Sequence, residues 1–319
     1  VKKEMSIVID QEKIKEHIIH RHENILLDRI LLEAIDDGKG NLEVCINEND
    51  SLGRDIFLTK KKQEHKVILT PVFMEIMALA AITCSGKVEE GQVVFFTGIS
   101  QFEKITDLPM GETCKGFVEK ISEKKGFLKY KGDLKTESGK IAATGSMTAY
   151  FMQESEQEGD EGTKKTIELP SISQLQPIDK QSYPKQASMV LADSIAIISD
   201  ASCIVSYTYP EDHPLNKGHF PGNPVMMGVM QWMSIADTLT AFLETQNIKG
   251  QHTVSCNAII ANQDNVVIAE FKQVECQAYI DVDGMGNQSD IVKTSRIIFR
   301  SMVKPTDTLS IWASDISIS

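Results

Sequence analysis

Two segments of this 319-residue chain are apolar at nearly every position for the length of a helix, and strand-like segments follow each of them. The first reads Leu69-Thr70-Pro71-Val72-Phe73-Met74-Glu75-Ile76-Met77-Ala78-Leu79-Ala80-Ala81-Ile82. Pro71 stands where proline favours a helix start. Apolar side chains all round predict a helix buried on every side, not merely amphipathic. The second segment extends from Val225 to about Leu243. A turn-forming run precedes it, Gly218-His219-Phe220-Pro221-Gly222-Asn223-Pro224, where φ must be special or fixed. Strands are expected at 41–47, 93–96, 113–121, 126–134 and 140–151, then at 201–209, 251–260, 265–282, 290–302 and 309–318, with Gly-, Pro-, Asp- or Lys-rich turns between them. Asp36-Asp37-Gly38-Lys39-Gly40 is a hairpin signal.

The order of elements repeats. Tyr183 to Ile195 parallels the earlier segment ending Leu27-Asp28-Arg29-Ile30, and each precedes one long helix and a run of strands. This reads as an internal duplication. An N-terminal domain over 1–152 and a C-terminal domain over 177–319 are joined by an acidic linker, 153–176, whose first half has no large apolar residue before Ile167.

Two groups stand out chemically. Glu75 lies in the middle of the first buried helix, where a carboxylate must face a cavity, find a partner or hold a proton. His219 is presented on the constrained loop just before the second helix. A histidine there can be purely structural, but the string Gly218 to Met230 resembles the HFPGxPxxPGV signature of the 3-hydroxyacyl-ACP dehydratases of fatty-acid synthesis. Three further stretches share the likeness. Residues 18–30 resemble that family's HRYPFLLVDRV opening, Glu75-Ile76-Met77-Ala78-Leu79-Ala80 its EAMAQA, and 96–112 its segment after the helix. The resemblance implies an α+β fold, a hot dog in which an antiparallel sheet wraps a long helix. Two in tandem make a double hot dog, a fused version of the family's homodimer.

In that family the His is the catalytic base, and an acidic residue follows it by fourteen positions. Here that position is Met233, which cannot exchange a proton. The first half has the opposite defect: Glu75 matches the acid, but Lys61 or Arg54, depending on alignment, stands where the His belongs. Dimers of the family pair the His of one subunit with the acid of the other. The resemblance therefore implies one composite catalytic site, His219 with Glu75, and one abandoned site. Asp237, one turn beyond Met233, is an alternative acid within the second half. The implied chemistry is dehydration of 3-hydroxyacyl thioesters to trans-2-enoyl thioesters, with backbone donors at Gly228 and Val229 for the thioester oxygen. The Phe220-Pro221-Gly222 turn and Met226, Met227, Met230, Phe73, Met74 and Met77 are candidates to line an acyl tunnel, although most suit ordinary core packing equally well. An acyl thioesterase and a non-catalytic acyl-binding or scaffolding protein are the alternatives on the same fold.

Composition narrows the partners. The net charge of −12 argues against nucleic acid. An acidic acyl carrier protein would have to dock on a local basic patch such as Lys60-Lys61-Lys62 or Lys124-Lys125. No run of 18 apolar residues suggests a membrane span. Six scattered cysteines without a CxxC pair read as reduced thiols of a cytoplasmic protein, with no metal site and no cofactor indicated. Acyl chain length, the choice of ACP or CoA, any isomerase step and the oligomeric state are not legible.

Overall fold

The computed structural model describes residues 7–34, 37–62, 65–87, 92–153 and 164–319. Strands β1 (Ile7–Asp10), β2 (Arg29–Leu32) and β3 (Lys39–Val44) open the first half, with the short helix α1 (Gln11–Ile14) after β1. A small hairpin of β4 (Leu58–Lys60) and β5 (Lys66–Ile68) leads to helix α2 (Val72–Cys84), and β6 (Gln92–Lys104), β7 (Cys114–Lys124), β8 (Phe127–Lys135) and β9 (Ile141–Gln153) follow. The second half has β10 (Gln176–Pro177), β11 (Ser194–Ser199), β12 (Ser202–Thr208), helix α3 (Gly228–Thr245), then β13 (Gly250–Asn262), β14 (Val267–Ile280), β15 (Gln288–Phe299) and β16 (Thr308–Ile318). The expected hairpin turn at 36–40 and the linker lie partly outside the described residues, the former at residue 36 and the latter at 154–163.

All strands but β4 and β5 form one antiparallel sheet in the order β1-β2-β3-β7-β8-β9-β6-β15-β14-β13-β16-β12-β11-β10. The two halves meet where β6 pairs with β15, Ile99 opposite Ile297. Each half thus wraps its sheet round its own helix, which is the double hot dog the repeat predicts. One apolar cluster runs through both halves and includes nearly all of α2. The expectation of burial on every side holds there: twelve of the thirteen α2 residues are buried, and only Ile82 is partly open.

The duplication is looser than the sequence pattern suggests. Reading outward from the seam, the strands after α2 come in the chain order first, fourth, third, second, namely β6, β9, β8, β7. After α3 the same places are taken by β15, β14, β13 and β16, which are third, second, first and fourth. The second half is shifted cyclically by two strands. Antiparallel neighbours keep their directions under a shift of two, so both halves present the same sheet to their helix. The seam therefore joins the strand that follows α2 directly to one that ends at Phe299, and both flank the site.

Candidate active site

The His219 loop is built on the first half of the chain. A short 3-10 turn, Pro214–Lys217, lets the His219 N–H donate to the Leu215 carbonyl at 3.1 Å. From the other half, the Arg21 N–H donates to the Gly218 carbonyl at 2.8 Å, and the Asn24 amide donates to the Leu215 carbonyl at 3.2 Å. A Cβ on Gly218 would stand 2.0 Å from the Arg21 oxygen, so glycine alone permits this contact. It brings the backbone beside His20 against the backbone beside His219. Phe220 adopts φ +58°, the left-handed region, and stacks on Phe95 with ring centroids 5.7 Å apart and planes 9° from parallel.

His219 Nδ1 lies 2.6 Å from the Val225 carbonyl, which can only accept, so Nδ1 carries the proton and Nε2 holds the lone pair. Glu75 comes from α2. His20 Nε2 is 3.7 Å from Glu75 Oε1, and its ring centroid is 5.0 Å from that of His219. One donor atom from each of the three residues lies within 4.8 Å of the others, and all three are buried. They stand together on a cavity of about 360 Å³, a size that suits a small organic ligand. Glu75, Ala78, Ala81 and Ile82 form the α2 wall, following helical spacing. Val94 to Thr97 and Phe299 to Met302 line it from the two sides of the seam, and Gly228 and Gln231 from the first turn of α3.

The apolar walls set the protonation states. Burial raises the Glu75 carboxyl from 4.5 to about 7. Burial lowers His219 from 6.5 to about 4, against the opposing pull of its bond to the Val225 carbonyl. His20 is held well below 6.5 by burial, then by His219 and Arg21. At neutral pH the cavity thus contains two neutral imidazoles and a carboxyl close to half protonated.

Of the residues singled out in the sequence, His219, Glu75, Phe220, Met226 and Gly228 line the cavity. The others do not. Pro221 and Gly222 turn outward to solvent. Met230, Phe73 and Met74 are fully buried, but helical phase directs them away from the face that carries Glu75, Ala78 and Gln231, and Val229, singled out for its backbone N–H, is buried and not among the lining residues. Met74 instead packs its sulfur against Gly145. Among the cavity residues that escaped the sequence reading are His20 and Gln231. His20 stood in the quoted opening segment, but nothing in the sequence tied it to Glu75. The Gln231 carbonyl oxygen is buried without a hydrogen-bond partner.

The alternative acid has partners of its own. Asp237 is 2.7 Å from Lys185 Nζ and accepts from the Leu191 N–H at 2.8 Å, deep in the second half. Lys185 stands eight residues before Asp193, as His20 stands eight before Asp28. Where the first half has His20 beside Glu75 on a cavity, the second has a buried ion pair. Lys61 is likewise committed, reaching Asp107 at 2.8 Å and Asp290 at 2.6 Å, carboxylates that Lys104 shares. Arg54 is bound to Asp50 and Asp28. Neither offers a base.

Two imidazoles and a carboxylate also make a donor set that suits zinc. Zinc bonds of 2.0–2.2 Å set tetrahedral donors about 3.4 Å apart. Here His20 and Glu75 are 3.7 Å apart and the three donor atoms spread up to 4.8 Å. That spacing is wider than tetrahedral coordination sets.

A family model described as ApeI dehydratase matches residues 196–276, from β11 through the His219 loop and α3 into β14. The chain resembles the hot-dog dehydratases. No curated protein matches it. Among solved structures, the dehydratase heterocomplex ApeI:P from Xenorhabdus doucetiae is 14% identical, covering 45% of this chain and 93% of that one, with a TM-score of 0.37. The dehydratase domain from the CurK module of the curacin polyketide synthase is 11% identical, over 95% of this chain and 98% of that one, with a TM-score of 0.48. A putative thioesterase from Novosphingobium aromaticivorans is 10% identical, over 82% and 96%, with a TM-score of 0.43. Likeness this distant leaves the choice of hot-dog dehydratase chemistry to the side chains. No helix among the described residues is long and apolar enough to cross a membrane.

Proposed function

We propose that the protein removes water from 3-hydroxyacyl thioesters, carried on ACP or CoA, to give trans-2-enoyl thioesters. The observation that supports this is the meeting of His219 and Glu75, from opposite halves, on one apolar cavity. Elimination needs a base at C2 and an acid at the C3 hydroxyl. His219 Nε2, neutral and with its tautomer fixed by Val225, takes the C2 proton. Glu75, kept partly protonated by burial, gives its proton to the leaving hydroxyl, which departs as water. The first turn of a helix has N–H groups without intrahelical acceptors, and Gly228 places one on the cavity wall, where negative charge develops on the thioester oxygen. Gly228 has no side chain to fill that approach, and its Cα faces the Phe299 ring.

The test is to follow enoyl absorbance from 3-hydroxyacyl thioesters of several chain lengths on both carriers. Wild type should turn over, whereas His219→Ala and Glu75→Gln should each lose about 100-fold or more, the usual scale for removing a general acid or base. Release of free thiol without enoyl product would point to a thioesterase. No product of either kind would leave an acyl-binding protein.

A further inference from the structure

His20 is buried, lines the cavity and is not needed by a two-residue elimination. Its surroundings differ from those of His219 in one respect. His219 is locked in one tautomer by the Val225 carbonyl, whereas His20 Nδ1 is buried with no hydrogen-bond partner. No backbone group fixes which of its nitrogens carries the proton. Its ring stands 5.0 Å from that of His219, and its Nε2 is 3.7 Å from the Glu75 carboxyl. One of its ring nitrogens lies within 4.8 Å of a donor atom of each member of the dyad.

An elimination leaves the site in the wrong state for the next one. The C2–H bond has broken and its proton sits on His219 Nε2. The Glu75 proton has left with the hydroxyl as water, so Glu75 is a carboxylate. One proton must then pass from His219 to Glu75. We propose that His20 is the relay that returns it. The His20 ring accepts the proton from His219 on one nitrogen while the other nitrogen gives a proton to Glu75. Protons balance: His219 ends neutral, Glu75 ends as the acid, and His20 has changed only its tautomer. A half-turn of the ring re-aims its N–H at Glu75, and exchange of its proton with cavity water restores the original tautomer. Because the ring stays neutral throughout, the burial that disfavours a charged His20 does not oppose the transfer. Burial favours the same direction, since it raises Glu75 and lowers His219.

This inference rests on the dehydratase reading, so its test separates chemistry from reset. His20→Gln and His20→Ala are compared with wild type, folding being checked by circular dichroism, in single-turnover and steady-state dehydration. The expected result is a single-turnover rate within about threefold of wild type, with a steady-state rate lowered by about tenfold or more after a burst of one product per site. Added imidazole should raise the steady-state rate of His20→Ala and leave its single-turnover rate unchanged. Equal loss of both rates, or no loss of either, would overturn the relay while wild-type turnover keeps the dehydratase reading intact. Absence of turnover in the wild type would remove that reading, and the relay with it.

Discussion

Glu75→Gln should inactivate the protein and, at alkaline pH, make it more stable. Glu75 is buried, and its nearest titratable neighbour is a neutral histidine that cannot stabilise a carboxylate by charge. The shift from 4.5 to about 7 is attributed to burial alone. At about 1.4 kcal/mol per unit, a shift of that size amounts to about 3 kcal/mol. The sign follows from which state ionises first. Below 4.5 the carboxyl is protonated in both folded and unfolded chains, and burial of the neutral acid costs little. As pH rises past 4.5 the unfolded chain gains solvation by ionising while the folded chain does not, so stability falls. Above about 7 the folded carboxyl ionises too and the loss is complete. Gln is neutral at every pH and nearly isosteric, so it escapes this loss. Urea titrations at pH 4.5 and 8.5 should show the gap between Glu75→Gln and wild type widening by about 3 kcal/mol in favour of the variant. A gap that stays constant with pH would refute the reasoning, since it would mean that Glu75 is solvated or charge-paired in the fold. A widening gap would be the usual relation between a functional group and stability, read through one titration.

The rate itself should follow the same two groups: kcat/KM is expected to fall as pH rises through about 7, where Glu75 loses its proton, and to hold on the acid side down to about 4, where His219 gains one. Gly218→Ala forces a Cβ to within 2.0 Å of the Arg21 oxygen, so it should destabilise by about 3 kcal/mol and lower kcat further than the unfolded fraction explains, because it pries the His219 loop from the His20 segment. Asp237→Asn strands the Lys185 ammonium in the second half, at 7% side-chain exposure, and should cost about 3–5 kcal/mol. Lys185→Met combined with Asp237→Leu should recover most of that in thermal melts, and enoyl formation by the double variant should match wild type, whereas loss of activity would reinstate Asp237 as the acid.

What could be read in the sequence was what travels along the chain. The helix of residues 72–84 was legible because apolar side chains on every face admit no other placement, and the strands because turns interrupt them at regular intervals. Glu75 was legible as an anomaly, a carboxylate where none can lie unpartnered. Two things were not legible, for one reason. The strand shift in the second half changes no residue's preference, since a buried antiparallel strand suits either place in the sheet, and only pairing across distant segments decides it. His20 reaches the site through Gly218, 198 positions away, where the missing Cβ matters only because Arg21 happens to lie there. Before the fold is known, such a glycine looks like any other turn glycine. The same logic bears on why the two halves differ beside their helices. A cavity needs polar groups left without partners, as His20 Nδ1 and the Gln231 oxygen are, and a packed interior penalises each of them. The second half removed that cost by giving Asp237 to Lys185 and Asp290 to two lysines. With those charges paired, neither Asp237 nor Asp290 is a free acid. Of the buried polar atoms without partners, His20 Nδ1 and the Gln231 oxygen belong to residues that line the cavity with His219 and Glu75.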